Sequence, residues 1–247
     1  MPLIFDRDTL TQKGLFHWDD KLACTLGITH PKTLKDGTQI SYCANKGLEN
    51  QIHVYKIHPS QPKTRVLIGS FTTKHLAYGH SMGLTEDYAI ILEQPIMFKM
   101  EYMLEGKPMI KDMVLEQDQT TKIHVMKLSD GTVQTFDTNE WMIALHTANS
   151  YHEDDGTLVL ETQTYSNKDS NPFAAVLFEK LDDINKIGDQ EYGSKFQKIS
   201  LNLKDGTLKI KDYMSVDNGS LDLPMFNPKY SGVKNCFTYL SPYFGPT

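Results

Sequence analysis

Three histidines in this chain stand where a loop leads into a strand-like run. His80 lies in the segment 78–95, where a small-residue run and a short turn are followed by an apolar stretch and a proline. His30 and His146 stand in similar local settings. A neutral imidazole is the commonest metal ligand in proteins. We therefore predict that these three side chains form one metal site.

The residue types suit a metal that handles dioxygen. A non-haem iron site needs nitrogen or oxygen ligands and open coordination positions. Several neutral histidines, with their rings held by carboxylates, meet both needs. The separations in the chain are 50 residues from His30 to His80 and 66 residues from His80 to His146. Spacing alone does not bring them together, and a hydrogen-bonded structural role is the ordinary alternative for each.

Short apolar runs rich in β-branched residues recur along the chain and predict β-strands. The clearest runs are residues 66–71, 88–92, 123–128 and 157–162. Asp-Gly pairs punctuate the chain at Asp36-Gly37, Asp130-Gly131, Asp155-Gly156 and Asp205-Gly206. Each pair predicts a hairpin turn, because both residue types tolerate a positive φ. Helical periodicity is nearly absent, and only one short helix is expected, around residues 182–186.

Many short hairpins without helical partners indicate an all-β fold, namely a propeller, a sandwich or a barrel. A length of 247 residues fits a single domain of this class, although no exact blade repeat is visible. A propeller accounts for the histidines best, because its blades present their inner strand ends to a shared axis. The observed separations are compatible with one ligand per blade.

The charge balance argues against nucleic-acid binding. The chain has 25 basic and 31 acidic side chains, a formal net charge of −6, and no cluster of Lys and Arg that could follow a phosphate backbone. Its first residues show no secretory signal, and no run approaches the roughly eighteen apolar residues of a spanning helix. We expect a cytoplasmic protein or one at a membrane surface, with a plastid location also open.

The cysteines predict no metal site of their own. Cys24, Cys43 and Cys236 form no Cys-x-x-Cys pair, and any disulfide would leave one of them over. Their number favours a reducing compartment and argues against thiolate ligands. We expect all three to be small, buried hydrophobic side chains.

Several sequence segments around and between the histidines form recognisable motifs. They are residues 5–10 (FDRDTL), 29–32 (THPK) followed by 36–38 (DGT), 78–88 (YGHSMGLTEDY) followed by 93–95 (EQP), 145–151 (LHTANSY) and 221–232 (LDLPMFNPKYSG). Together, and in this order, they resemble the carotenoid cleavage oxygenases, a family that splits polyene double bonds with iron and dioxygen.

The resemblance implies a seven-bladed β-propeller with Fe(II) on its axis, bound by four histidines whose rings are held by three glutamates. His30, His80 and His146 fall on the first three ligand positions. Asp222 falls on one of the glutamates and is one methylene shorter. The chain has no histidine after His152. The resemblance thus implies a single incomplete propeller domain over residues 1–247, made of the central blades of a longer protein.

For function, the resemblance implies Fe(II)-dependent cleavage of a carbon–carbon double bond of a carotenoid or apocarotenoid into carbonyl products. The partners would be an apolar polyene and dioxygen, and a lipid-soluble substrate favours peripheral membrane contact. Two alternatives stay open. The missing fourth histidine favours a catalytically inactive truncated propeller that acts as a binding module. A propeller hydrolase of sugars or lactones would need a carboxylate cluster, and no convincing one is visible.

Overall fold

The computed structural model describes residues 3–76, 78–98, 113–166, 194–215 and 219–244. The strands are, in chain order, β1 Leu3–Phe5, β2 Gln12–Leu15, β3 Leu26–Gly27, β4 Lys32–Thr33, β5 Gln39–Lys46, β6 Asn50–Ile57, β7 Val66–Thr73, β8 Gly83–Leu84, β9 Tyr88–Glu93, β10 Ile96–Phe98, β11 Met113–Leu115, β12 Lys122–Lys127, β13 Val133–Asp137, β14 Thr147–His152, β15 Leu158–Tyr165, β16 Ser194–Leu201, β17 Leu208–Ser215, β18 Gly219–Met225 and β19 Tyr239–Phe244. Within these ranges a single 3₁₀ turn, Pro228–Tyr230, is the only helical element. The all-β prediction is confirmed, and the short helix expected around residues 182–186 lies outside the described residues.

Three antiparallel sheets follow one another along the chain as meanders. Sheet 1 contains β3 to β7, with β3 and β4 both paired to the same strand, β5. Sheet 2 has the order β13-β12-β9-β8, and sheet 3 has the order β14-β15-β16-β17. The pairs β1–β2, β10–β11 and β18–β19 form two-stranded ribbons. Each sheet therefore keeps its earliest strand at one edge.

The four Asp-Gly turns lie where the sequence predicts them, between β4 and β5, β12 and β13, β14 and β15, and β16 and β17. All four glycines have a positive φ, between 73° and 85°. In each turn an aspartate oxygen accepts a hydrogen bond of 2.8 to 3.0 Å from the backbone N–H of the threonine two residues later. The turn is thus encoded by local chemistry, because glycine relieves the steric cost and aspartate mimics a backbone acceptor.

The sheets pack face to face, and sheet 2 is buried on both sides. On β9, Ile91 packs in a cluster with Val54 of sheet 1, whereas its neighbour Ile90 packs in a second cluster with Leu160 of sheet 3. Successive side chains of a strand point to opposite faces. The continuous apolar run of β9 therefore fills two separate cores, one on each side of its sheet.

The prediction that all three cysteines are buried and unpaired is wrong. Cys24 and Cys43 form a disulfide, with 5.6 Å between their Cα atoms, and Cys236 is exposed. The cause is the pairing of β3 with β5, which sets Gly27 opposite Cys43 and lets Thr25 donate its N–H to Ala44. Residues 19 positions apart thereby become neighbours, and a cysteine count carries no information about such a strand register.

Candidate metal centre

Each of the three histidines stands at the first strand of one sheet. His30 lies in the gap between β3 and β4, His80 shortly before β8, and His146 directly before β14. The strands β8 and β14 lie against each other. Each of the three stacked sheets therefore places one histidine at a common point. The spacing of the histidines in the sequence could not by itself establish this convergence.

The ring nitrogens meet at distances that suit one ion. The Nε2 atom of His80 lies 3.2 Å from Nε2 of His30 and 3.3 Å from Nε2 of His146. One ligand atom from each residue lies within 4.8 Å of the others. Two nitrogen ligands about 2.1 Å from one metal ion, at an angle of about 100°, are roughly 3.2 Å apart. The donor set therefore fits a single divalent cation that prefers imidazole.

Backbone contacts hold two of the histidine loops together. The N–H groups of Thr29 and His30 both donate to the carbonyl oxygen of His80, at 3.2 and 3.1 Å. The loop before β8 also approaches Tyr42 closely, because a Cβ atom added at Gly79 would lie 2.1 Å from the Tyr42 hydroxyl. A larger residue at that position would have to displace either this loop or the buried Tyr42 ring.

The second nitrogen of two rings has a defined partner. His146 Nδ1 lies 2.7 Å from Asp222 Oδ1, and His80 Nδ1 lies 2.8 Å from the hydroxyl of Tyr78. When Nδ1–H donates to such an oxygen, the proton stays on Nδ1 and the Nε2 lone pair is left for a metal. One ring is thus oriented by a carboxylate and another by a neutral phenol.

The Asp222 carboxylate is itself held by several donors. It is buried, and its Oδ1 atom accepts a 2.7 Å bond from the backbone N–H of Leu223 in addition to the bond from His146. Its Oδ2 atom accepts a 3.1 Å bond from the Tyr165 hydroxyl. Leu223 has a φ of 52°, a left-handed conformation that is uncommon for a bulky residue. Such strain persists where the surroundings over-determine the backbone, as they do beside this carboxylate.

The His80 imidazole remains neutral well below neutral pH, and the pKa of His30 is also lowered. Burial, followed by the neighbouring rings of His146 and His30, lowers the pKa of His80 to about 4. Burial is also the largest cause that lowers the pKa of His30, followed by His146 and Lys32. Neutral imidazole is the form that binds metal. The cluster therefore competes for a cation without first having to release protons from these two rings.

The lowered pKa of His80 predicts how the stability of the metal-free chain depends on pH. The unfolded chain takes up a proton at His80 near its ordinary pKa of 6.5, whereas the folded ring stays neutral until about pH 4. The free energy of unfolding should therefore decrease as the pH falls through that window, by about 1 kcal/mol between about pH 7 and pH 5 for this half-buried ring. Urea unfolding at several pH values measures the slope. A His80→Gln variant should have a shallower slope, and an identical slope would contradict the assignment.

Sequence reasoning missed two residues of this cluster. Tyr78 belongs to the same motif as His80, and its position only two residues earlier in the chain was a usable signal. Tyr165 gave no comparable signal, because it lies 57 residues from Asp222. The structure brings His30, His80, His146 and Asp222 into one cluster.

No helix within the described ranges is long and apolar enough to cross a membrane.

Comparison with known proteins identifies relatives over as much as 65% of the chain. A carotenoid 9,10(9',10')-cleavage dioxygenase 1 of Arabidopsis thaliana is 26% identical over 169 residues, which are 65% of this chain and 28% of that protein. A carotenoid isomerooxygenase of Galleria mellonella is 29% identical over 119 residues, 47% of this chain and 23% of the relative.

Solved structures share the fold. A structure of a mutant of the Synechocystis apocarotenoid oxygenase matches with a TM-score of 0.73 and 14% identity. The match covers 99% of this chain and 51% of the chain of that enzyme. A cobalt-substituted form of the Synechocystis enzyme matches with a TM-score of 0.73 and 16% identity. The match covers 98% of this chain and 50% of the chain of that enzyme. The chain spans about half the length of these structures. The family model for the retinal pigment epithelial membrane protein, RPE65, matches residues 1–247. The resemblance to carotenoid oxygenases is confirmed, and the chain belongs to this family.

Proposed function

We propose that this chain binds Fe(II) through His30, His80 and His146 and that it cleaves a carbon–carbon double bond of a carotenoid or apocarotenoid. The observation that carries the proposal is the approach of three Nε2 atoms, 3.2 and 3.3 Å apart, from three separate sheets. The chain belongs to a family whose matched relatives are named as carotenoid oxygenases.

The donor set supports iron rather than a harder cation. Imidazole nitrogen suits iron, zinc and copper, whereas magnesium and calcium prefer oxygen ligands. Three protein ligands would leave coordination positions of such an ion open. The chemistry that Fe(II) would supply when held by these residues is the activation of dioxygen, and the reaction balances because one O₂ molecule and one carbon–carbon double bond give two carbonyl groups.

The chain's own residues prepare the site. The Asp222 carboxylate accepts a hydrogen bond from Nδ1–H of His146, and the Tyr78 hydroxyl lies within hydrogen-bond distance of Nδ1 of His80. Both contacts orient the rings before the ion arrives. Preorganisation of this kind avoids a cost of ordering the ligands at the moment of binding.

We also propose that residues 1–247 form a single incomplete domain, made of central blades of a seven-bladed propeller. Three successive meanders support this, as does a match to about half of each solved relative. The substrate would be an apolar polyene, with dioxygen as the second substrate. We propose a cytoplasmic or peripheral-membrane location, with a plastid as the alternative, and a lipid-soluble substrate favours the membrane surface.

Anaerobic loading with Fe(II), followed by incubation with an apocarotenoid in air, tests the proposal. We expect about one iron per chain by elemental analysis and carbonyl products by mass spectrometry. The same incubation under nitrogen should give no product. A chain that retains no iron at neutral pH would contradict both the site and the reaction.

A second candidate is a binding module without turnover. Large apolar side chains are exposed on the two-stranded ribbons at β1–β2 and β18–β19, as a surface that contacts another body would require. They include Phe5, Leu15, Met225 and Tyr239. Iron bound at full stoichiometry, but with no carbonyl product in air, would favour this candidate.

A further inference from the structure

Side-chain hydrogen bonds link the three segments that carry the histidines, and they meet at Thr147. Its hydroxyl lies 2.8 Å from the Ser81 hydroxyl and 2.7 Å from the carbonyl oxygen of Met82. Its carbonyl oxygen accepts a 3.4 Å bond from the ammonium group of Lys32. Ser81 follows His80, Thr147 follows His146, and Lys32 stands two residues after His30.

The direction of the two hydroxyl bonds can be assigned. A carbonyl oxygen only accepts, so the Thr147 hydroxyl must give its proton to Met82. The Ser81 hydroxyl must then donate to Thr147. Both side chains are buried, at 6% exposure each. Leaving a buried hydroxyl without a partner costs free energy, so both hydrogen bonds, from Ser81 to Thr147 and from Thr147 to Met82, favour this one arrangement of the two segments.

We propose that Thr147 is a positioning residue of the metal site, which sets the spacing of the His80 and His146 nitrogens through the backbone beside each of them. This inference rests on the proposed function, because it concerns the geometry of the same site. The β14–β15 pairing already holds the Thr147 backbone opposite Thr162. The β14–β15 pairing does not connect β14 to the loop that carries His80. The hydrogen bonds of the Thr147 hydroxyl make that connection.

Metal affinity is sensitive to such contacts. Removing a group that hydrogen-bonds to a metal ligand and orients it typically weakens metal affinity by about 10- to 100-fold. In Thr147→Val the side chain keeps its shape but loses both hydroxyl bonds. In Thr147→Ser the hydroxyl stays. The pair therefore separates the hydrogen bonds from the packing of the side chain.

The experiment is titration of the purified chain with Co²⁺, followed by the visible absorption of the bound ion. We expect Thr147→Val to weaken Co²⁺ binding by about 10-fold or more and to alter the absorption bands. Thr147→Ser should restore wild-type affinity to within about threefold. The matched control is Thr138→Val, because Thr138 is also 6% exposed and its hydroxyl donates to the Thr121 carbonyl at 2.7 Å, away from the histidines. Its Co²⁺ spectrum should equal that of the wild type.

The outcomes separate this inference from the function on which it rests. If wild-type chain binds no Co²⁺, the metal site itself is refuted, and the role of Thr147 falls with it. If the wild type and Thr147→Val bind Co²⁺ with the same affinity and spectrum, only the positioning role is overturned. Should Thr147→Val fail to fold, Ser81→Ala removes the donor alone, and it should weaken Co²⁺ binding in the same direction. Unchanged binding in Ser81→Ala would then overturn the proposal.

Discussion

The His80→Ala variant should lose most of the Fe(II) binding of this chain. His80 is the central residue of the cluster, because its Nε2 atom lies 3.2 Å from that of His30 and 3.3 Å from that of His146. Its removal leaves two imidazoles that no longer share a third donor. We expect the Kd for Fe(II) to rise by about 100-fold or more. Removing a residue that only hydrogen-bonds to a metal ligand typically costs about 10- to 100-fold in affinity, and removing the ligand itself should cost more.

Anaerobic competition with a coloured chelator measures this change. The matched control is His75→Ala, because His75 belongs to the same stretch of chain and is half-buried like His80. His75→Ala should retain the iron affinity of the wild type. Iron retention that is unchanged in His80→Ala, or lost equally in both variants, would contradict the proposed site.

The second large effect is expected at Asp222. In Asp222→Ala, Nδ1 of His146 loses its 2.7 Å acceptor, and the Tyr165 hydroxyl and the Leu223 N–H lose theirs. We expect Fe(II) affinity to fall by about 10- to 100-fold. Asp222→Asn should lie between the wild type and Asp222→Ala, because an amide oxygen still accepts but carries no charge.

Two comparisons sharpen the Asp222 experiment. Tyr78→Phe removes a neutral partner of His80 and should cost less affinity than Asp222→Ala, because a hydrogen bond to a charged group is the stronger one. Asp212→Asn changes an exposed carboxylate that pairs with Lys195 on sheet 3, and it should leave metal binding untouched. If Asp222→Ala bound Fe(II) as tightly as the wild type, the carboxylate would have no role in orienting His146.

The strands and turns could be predicted because their causes are local. Each Asp-Gly pair combines a glycine free to adopt a positive φ with an aspartate that bonds the N–H two residues on, and all four turns form as expected. The run of apolar residues in β9 predicted a strand for a similar reason. It did not reveal that Ile90 and Ile91 belong to two different cores, because that depends on which sheets lie on either side.

Long-range partners account for what sequence reasoning missed. The disulfide between Cys24 and Cys43 depends on the register of β3 on β5, and the Tyr165 contact with Asp222 joins separate strands. Asp222 was predicted through family resemblance, with a shorter side chain than the glutamate of that pattern. At 2.7 Å from His146, its carboxylate needs no extra methylene, because β18 brings its backbone close enough.

The sequence by itself indicated the clearest strands and the four Asp-Gly turns, because each depends on residue types within a few positions of one another. It also indicated the family and the three candidate ligands, through several motifs that follow one another in order along the chain. Only the tertiary structure decided that the Nε2 atoms of His30, His80 and His146 approach one another, and that Tyr78 and Asp222 lie beside two of the rings. The reason is geometric. The direction of a side chain at a strand end is set by the stacking of whole sheets, and that stacking is the sum of many contacts between residues far apart in the chain.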